Sequence, residues 1–122
     1  NNISFTLRCS PESIITEGDE KQLSQVFLNL LKNAMQALEG HPHGELSLQA
    51  EQDEYIVIDI TDNGPGIPPE ILDKVFIPFF TTKSEGTGIG LSLCKEIIRR
   101  HEGHLAIKES RAGKTVFHIE LP

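Results

Sequence analysis

Asn29 and Asn33 stand four residues apart, and Gln36 follows three residues later. At helical spacing the three carboxamides share one face. Side by side they can ligate a hard cation through oxygen or grip phosphate through nitrogen, and the same face can also be merely solvated. A second group is Asp62-Asn63-Gly64-Pro65-Gly66. An aspartate leaving an apolar run can accept from an exocyclic amine, while Gly64 and Gly66 let backbone approach a flat ligand. A tight turn opened by Asp would use the same residues. The third group is Gly86-Thr87-Gly88-Ile89-Gly90-Leu91. Glycines at a helix start expose N–H groups where the helix dipole adds partial positive charge, which makes either an anion site or a hinge. The spacing is G-x-G-x-G with no strand before it, so it is not the dinucleotide fingerprint.

Other candidates fall away. Gly113-Lys114-Thr115 resembles the tail of a P-loop, but position 108 is Lys where the first glycine should stand, and a strand pattern follows. His101-Glu102-Gly103-His104 lacks the H-E-x-x-H spacing. His41 and His43 read as loop composition rather than metal ligands. Cys9 and Cys94 lie far apart with no second thiol near either, the usage of free buried thiols in a reducing compartment.

The elements that must carry these groups follow from periodicity. Ile3, Phe5 and Leu7 alternate with polar residues as in a half-buried strand. Asp19 can cap a long helix, with Gln22 completing a variant capping box. Leu23, Val26, Phe27, Leu30, Ala34 and Leu38 form its core stripe, and Gly40 ends it. Leu46 and Leu48 mark a second strand, and residues 55–61, Tyr-Ile-Val-Ile-Asp-Ile-Thr, give the strongest strand signal. The glycines and prolines of 62–69 force turns. A short helix is expected over 69–75 and a second long one over 89–100, with Gly103 closing it. Strands over 104–109 and 115–121 finish the chain. The expected architecture is α+β: a two-layer sandwich of a mixed, mostly antiparallel sheet with helices on one face.

The chain has 122 residues, which fits one domain over 1–122 with a real core. Its apolar content of 38% excludes a disordered chain. No apolar run reaches the roughly 18 residues of a membrane span. The formal charge of −7 excludes non-specific attraction to nucleic acid or an anionic membrane. It would also repel a polyphosphate, so a nucleotide site here needs a metal ion and locally placed donors.

Taken in order, the motifs resemble the ATP-binding catalytic domain of sensor histidine kinases, of the GHKL or Bergerat fold shared with DNA gyrase, heat-shock 90 chaperones and MutL repair proteins. Asn29-Leu30-Leu31-Lys32-Asn33-Ala34 looks like its N box, Asp62 to Ile67 its first glycine box, Pro78-Phe79-Phe80-Thr81-Thr82-Lys83 its F box, and Gly86 to Leu91 its second glycine box. The short stretch between Phe80 and Gly86 resembles the short lid of the nitrogen-regulation type.

The resemblance implies ATP and Mg²⁺ as cofactors. Asp62 would accept the adenine amine, supported by Thr115 through a water. Gly64, Gly66 and Ile67 would shape the base pocket. Asn33 would ligate Mg²⁺, with Asn29 beside the phosphates. Gly86, Thr87, Gly88, Gly90 and Leu91 would donate backbone N–H groups to the phosphates, and Lys83 with Thr82 would meet the γ-phosphate. Gln36 replaces a lysine found in many members, which shifts weight onto Lys83. Asn29 stands where hydrolytic relatives carry Glu, and an amide cannot take a proton at neutral pH, so transfer is expected over hydrolysis.

None of His41, His43, His101, His104 or His118 sits in the family's acceptor motif of His, an acid and then Pro. The acceptor histidine is therefore expected on a separate dimerisation and phosphotransfer domain of the parent kinase, with a response regulator further down the relay. The isolated domain is expected to be monomeric, without direct membrane contact. It is expected in the cytoplasm, whether or not the parent is membrane-anchored. Two other readings keep the fold: an anti-sigma-type serine kinase, and a nucleotide-binding regulatory module without transferase activity.

Overall fold

The computed structural model describes residues 3–10, 18–78 and 90–122. Strand β1 (Ile3–Ser10) leads to helix α1 (Glu20–Ala37). Then follow β2 (Gly44–Gln52), β3 (Ile56–Asp62), α2 (Gly90–Arg100), β4 (His104–Arg111) and β5 (Lys114–Leu121). The five strands form one sheet in the order β1-β2-β3-β5-β4. The β1–β2 pair is parallel and the other three pairs are antiparallel. The two helices pack on each other, α1 over β3 and α2 over β4, giving the expected α+β architecture.

Alternation puts Ile56, Ile58 and Ile60 of β3 on the helix side, in register with Leu121, Ile119 and Phe117 of β5. Against this row α1 buries Val26, Leu30 and Ala34, with Leu38 just past its end, and α2 buries Cys94, Ile97 and Ile98. Contact of the two hydrophobic faces removes both from water, the main term holding the layers together.

The caps follow residue chemistry. The Asp19 carboxylate accepts the Gln22 N–H at 3.0 Å and starts α1, while Gly40, at φ +78°, turns the chain beyond its end. At the end of α2 the left-handed residue is Glu102, at φ +61°, rather than Gly103. The Gly103 N–H donates to the Ile98 carbonyl and the Glu102 N–H to that of Arg99, both at 2.9 Å, a Schellman closure with glycine one place later than expected. His101 joins the helices: its Nε2 accepts the Asp19 N–H at 3.0 Å, and its Nδ1 lies 2.8 Å from the Ile97 carbonyl.

Three other expectations are corrected. Phe5 and Leu7 are 52% and 63% exposed, because β1 is the edge of the sheet and the helices cover the strands beyond it. Tyr55 lies outside β3 in the connecting turn and is exposed. Residues 69–75 form successive turns rather than a helix. Ile71 and Leu72 donate to Pro68 and Pro69, then Lys74 to Ile71, all three residues back. Proline at 68 and 69 supplies no N–H, and the segment is too short to extend the pattern. It is anchored by Phe76, edge-on to Phe117 at 6.4 Å, with the Lys95 ammonium 4.4 Å above its ring.

Candidate functional site

Strand alternation delivers the acid. Asp62 is the next inward position after Ile56, Ile58 and Ile60, so its carboxylate enters the buried row and is 4% exposed. Its cross-strand neighbour is Thr115 of β5, also 4% exposed, and Leu46 of β2 flanks it on the other side. Burial pushes the Asp62 pKa above its ordinary 3.8, although the Gly64 N–H donates to Oδ1 at 2.9 Å and opposes the shift. One N–H does not replace the hydration of a carboxylate with about four lone-pair sites.

The loop after Asp62 is held from two sides. On one side Asn63 stitches it to the start of β2: its Oδ1 accepts the Glu45 N–H at 2.7 Å and its Nδ2 donates to the His43 carbonyl at 2.9 Å. On the other side it rests on the β4–β5 hairpin. The Gly113 N–H donates to the Gly64 carbonyl at 2.8 Å. Ser110 Oγ accepts the Ile67 N–H at 2.8 Å and donates to the Ile67 carbonyl at 3.3 Å. Gly66, at φ +84°, passes so close to Arg111 that a Cβ there would stand 2.6 Å from its carbonyl oxygen.

The loop also meets α1. A Cβ on Gly64 would lie 2.9 Å from Asp62 Oδ1 and 3.1 Å from the Ala37 carbonyl. Ala37 is one turn beyond Asn33, so the carboxamide row leads toward the Asp62 loop. Asn29, Asn33 and Gln36 are all half-buried. The Asn29 amide opposes the rise that burial imposes on the Cys94 thiol of α2. Cys94 is fully buried, its Sγ 3.8 Å from the Val26 carbonyl, and burial raises its pKa. Cys9 and Cys94 are both free.

Of the expected site residues, the structure brings Asp62, Gly64, Gly66, Ile67 and Thr115 into one corner, where β3, the loop and the hairpin meet. Asn29 and Asn33 lie along α1, and Gly90 and Leu91 begin α2. Thr82, Lys83, Gly86, Thr87 and Gly88, with the short lid, lie outside the described residues. Sequence reasoning missed Asn63 and Ser110 as supports of the loop. Their type gave a faint signal, since amides and hydroxyls bond backbone at turns, but their partners lie 18 and 43 positions away.

The corner suits a flat, amine-bearing ring: a buried acceptor at its floor, with glycine surfaces where side chains would intrude. Among the described residues no group of three or more His, Cys, Asp or Glu converges on a metal position.

Residues 18–122 match the histidine kinase-, DNA gyrase B- and HSP90-like ATPases, and the chain belongs to that family. It is 41% identical over 114 residues to sporulation kinase C of Bacillus subtilis, covering 91% of this chain and 26% of that protein. It is 40% identical over 121 residues to the sensory histidine kinase/phosphatase NtrB of Rhodobacter capsulatus, covering 88% of this chain and 33% of that one. The chain thus spans only about a quarter to a third of these relatives. The solved catalytic domain of histidine kinase ThkA superposes with a TM-score of 0.86 at 35% identity, over 98% of this chain and 78% of that one. Among the described residues no helix is long and apolar enough to cross a membrane.

Proposed function

We propose that this single domain binds Mg-ATP and donates the γ-phosphate to a histidine on a separate dimerisation domain of the same kinase, for relay to a response regulator. The observation that carries the reading is the buried Asp62 carboxylate facing a glycine-lined loop, in a chain of this ATPase family. Asp62 accepts the adenine amine, with Thr115 beside it. Gly64, Gly66 and Ile67 shape the base pocket. Asn33 offers its amide oxygen to Mg²⁺, and Asn29 stands next along the same face. Gly86, Thr87, Gly88, Gly90 and Leu91 supply phosphate-binding N–H groups, and Thr82 and Lys83 meet the γ-phosphate. Mg²⁺ would supply charge neutralisation across the phosphates, which an acidic chain needs.

In the transfer the incoming imidazole nitrogen attacks the γ-phosphorus. The bond to the β,γ-bridging oxygen breaks, and ADP leaves with that electron pair. Asn29 offers no base for water, so hydrolysis stays slow beside transfer. The domain works in the cytoplasm, where ATP is at hand.

The test offers radiolabelled ATP and Mg²⁺ with separately made histidine-bearing helical domains, including that of the parent kinase. Acid-labile, alkali-stable label on the helical domain is the expected result. Acid-stable label on an added protein would favour the serine-kinase reading instead. Asn33→Ala should flatten the Mg²⁺ dependence of ATP binding by about tenfold, the scale of a lost metal-site contact. An unchanged Mg²⁺ titration would remove Asn33 from the metal site.

A further inference from the structure

We infer that Ser110, at the end of β4, is a positioning residue for the nucleotide base: its hydroxyl locks the backbone of the Asp62–Ile67 loop, and so the base pocket. The inference rests on the nucleotide-binding reading above. A serine hydroxyl both donates and accepts, and here it does both to one residue, accepting the Ile67 N–H at 2.8 Å and donating to the Ile67 carbonyl at 3.3 Å. In this way one side chain gives the loop the pair of bonds that a neighbouring strand would have given. Pro65, two places before Ile67, and Pro68, directly after it, have no N–H to extend such pairing along the loop.

The clamp acts together with the Gly64–Gly113 backbone bond at 2.8 Å, so the loop is tied to the hairpin at both ends of Pro65-Gly66. Between the ties Gly66 already touches the Arg111 backbone, which prevents closer approach. At the other end of the loop Gly64 holds Asp62 Oδ1. A shift of Ile67 is therefore passed along a short, proline-stiffened segment to the carboxylate that reads the base amine. Ser110 is half-buried, so water replaces its two bonds only imperfectly when it is removed.

The test uses the full chain and compares Ser110→Ala and Ser110→Thr with the parent and with Asp62→Asn. Binding of Mg-ATP and Mg-GTP is measured by calorimetry, and exchange of the Ile67 amide by NMR. Ser110→Ala should weaken ATP about tenfold, the scale of losing such a pair of bonds, and GTP much less, shrinking the preference for adenine. The Ile67 amide should exchange faster. Ser110→Thr, which keeps the hydroxyl and suits a strand, should restore ATP binding to within about twofold of the parent. Equal weakening of ATP and GTP with a lowered melting temperature would reduce Ser110 to a stabilising residue and overturn the inference. So would parental ATP affinity in Ser110→Ala while Asp62→Asn is impaired. If instead neither the parent nor any variant binds Mg-ATP, the nucleotide reading itself fails, and Ser110 has no base to position.

Discussion

Asp62→Asn is expected to lose ATP affinity by about 30- to 100-fold and, without nucleotide, to melt higher than the parent. The first effect follows because an ionised carboxylate accepts the adenine amine strongly, while the amide that replaces it presents a donor to a donor. The second follows from burial. The carboxylate sits in a row with Ile56, Ile58 and Ile60, and its pKa is raised by desolvation. A folded-state pKa above the unfolded value means the native form holds its proton more tightly. This stabilising difference is complete below the unfolded pKa and is lost as pH rises through the folded one. Above the folded pKa the parent therefore carries the whole penalty of a buried charge, which the amide lacks. The replacing amide can still accept the Gly64 N–H that Asp62 Oδ1 accepts now. Calorimetric melts of parent and variant from pH 3 to 8 would isolate the effect, with the gap in favour of the amide variant opening as pH rises. Contributions shared by parent and variant, such as that of Glu109, held low by Arg111, cancel in the difference. A variant that melts lower at every pH would mean that the carboxylate stabilises the empty domain.

Gly66→Ala should be the most damaging single methyl in the site. At φ +84° an alanine costs about 1–2 kcal/mol in backbone strain alone. Its Cβ would also stand 2.6 Å from the Arg111 carbonyl oxygen and 2.8 Å from the carbonyl carbon, so either the loop or the hairpin must move. Backbone displacement of that kind adds about 1–3 kcal/mol. The melting temperature should fall on the order of 10 °C, and ATP binding should fall with it, because the tie between loop and hairpin is broken. Gly113→Ala is the control: φ is +89°, yet nothing lies within 4 Å of its Cβ, so it suffers strain without collision. Its melting temperature should drop by less than half as much. Equal losses in the two variants would show that left-handed strain, not contact with Arg111, sets the requirement at position 66.

Where a residue's fate depends on its neighbours in sequence, it was legible. The β-branched run within 55–61 marked the central strand, and the structure sets Asp62, two places after Ile60, on that strand's buried face. Asp19 announced the start of α1 because its partner, the Gln22 N–H, is three residues on. Phe5 and Leu7 misled for a different reason: alternation identifies a face but not whether a helix lies over it. The helix expected over 69–75 failed because periodicity in so short a window cannot separate a helix from successive turns. Ser110 and Asn63 were invisible as supports, since nothing local tells a serine on one hairpin that a loop 43 residues earlier will settle against it. The motifs name the groups proposed to face the ligand, while the struts behind them are products of tertiary folding.

The two rims of the sheet are unlike. Among the described residues β1 runs along one rim with Phe5 and Leu7 uncovered, whereas β4 on the other carries a register shift between Ile107 and Glu109 and exposes Lys108 and Arg111. Bulges and charges of that kind deter strand addition; β1, with no register shift and Arg8 as its one charge, is guarded less. Two copies meeting rim to rim through β1 would exhaust both less guarded rims and present only the better guarded ones outward. Any pairing by this route would stop at two copies, so the unlike rims would work against filament growth.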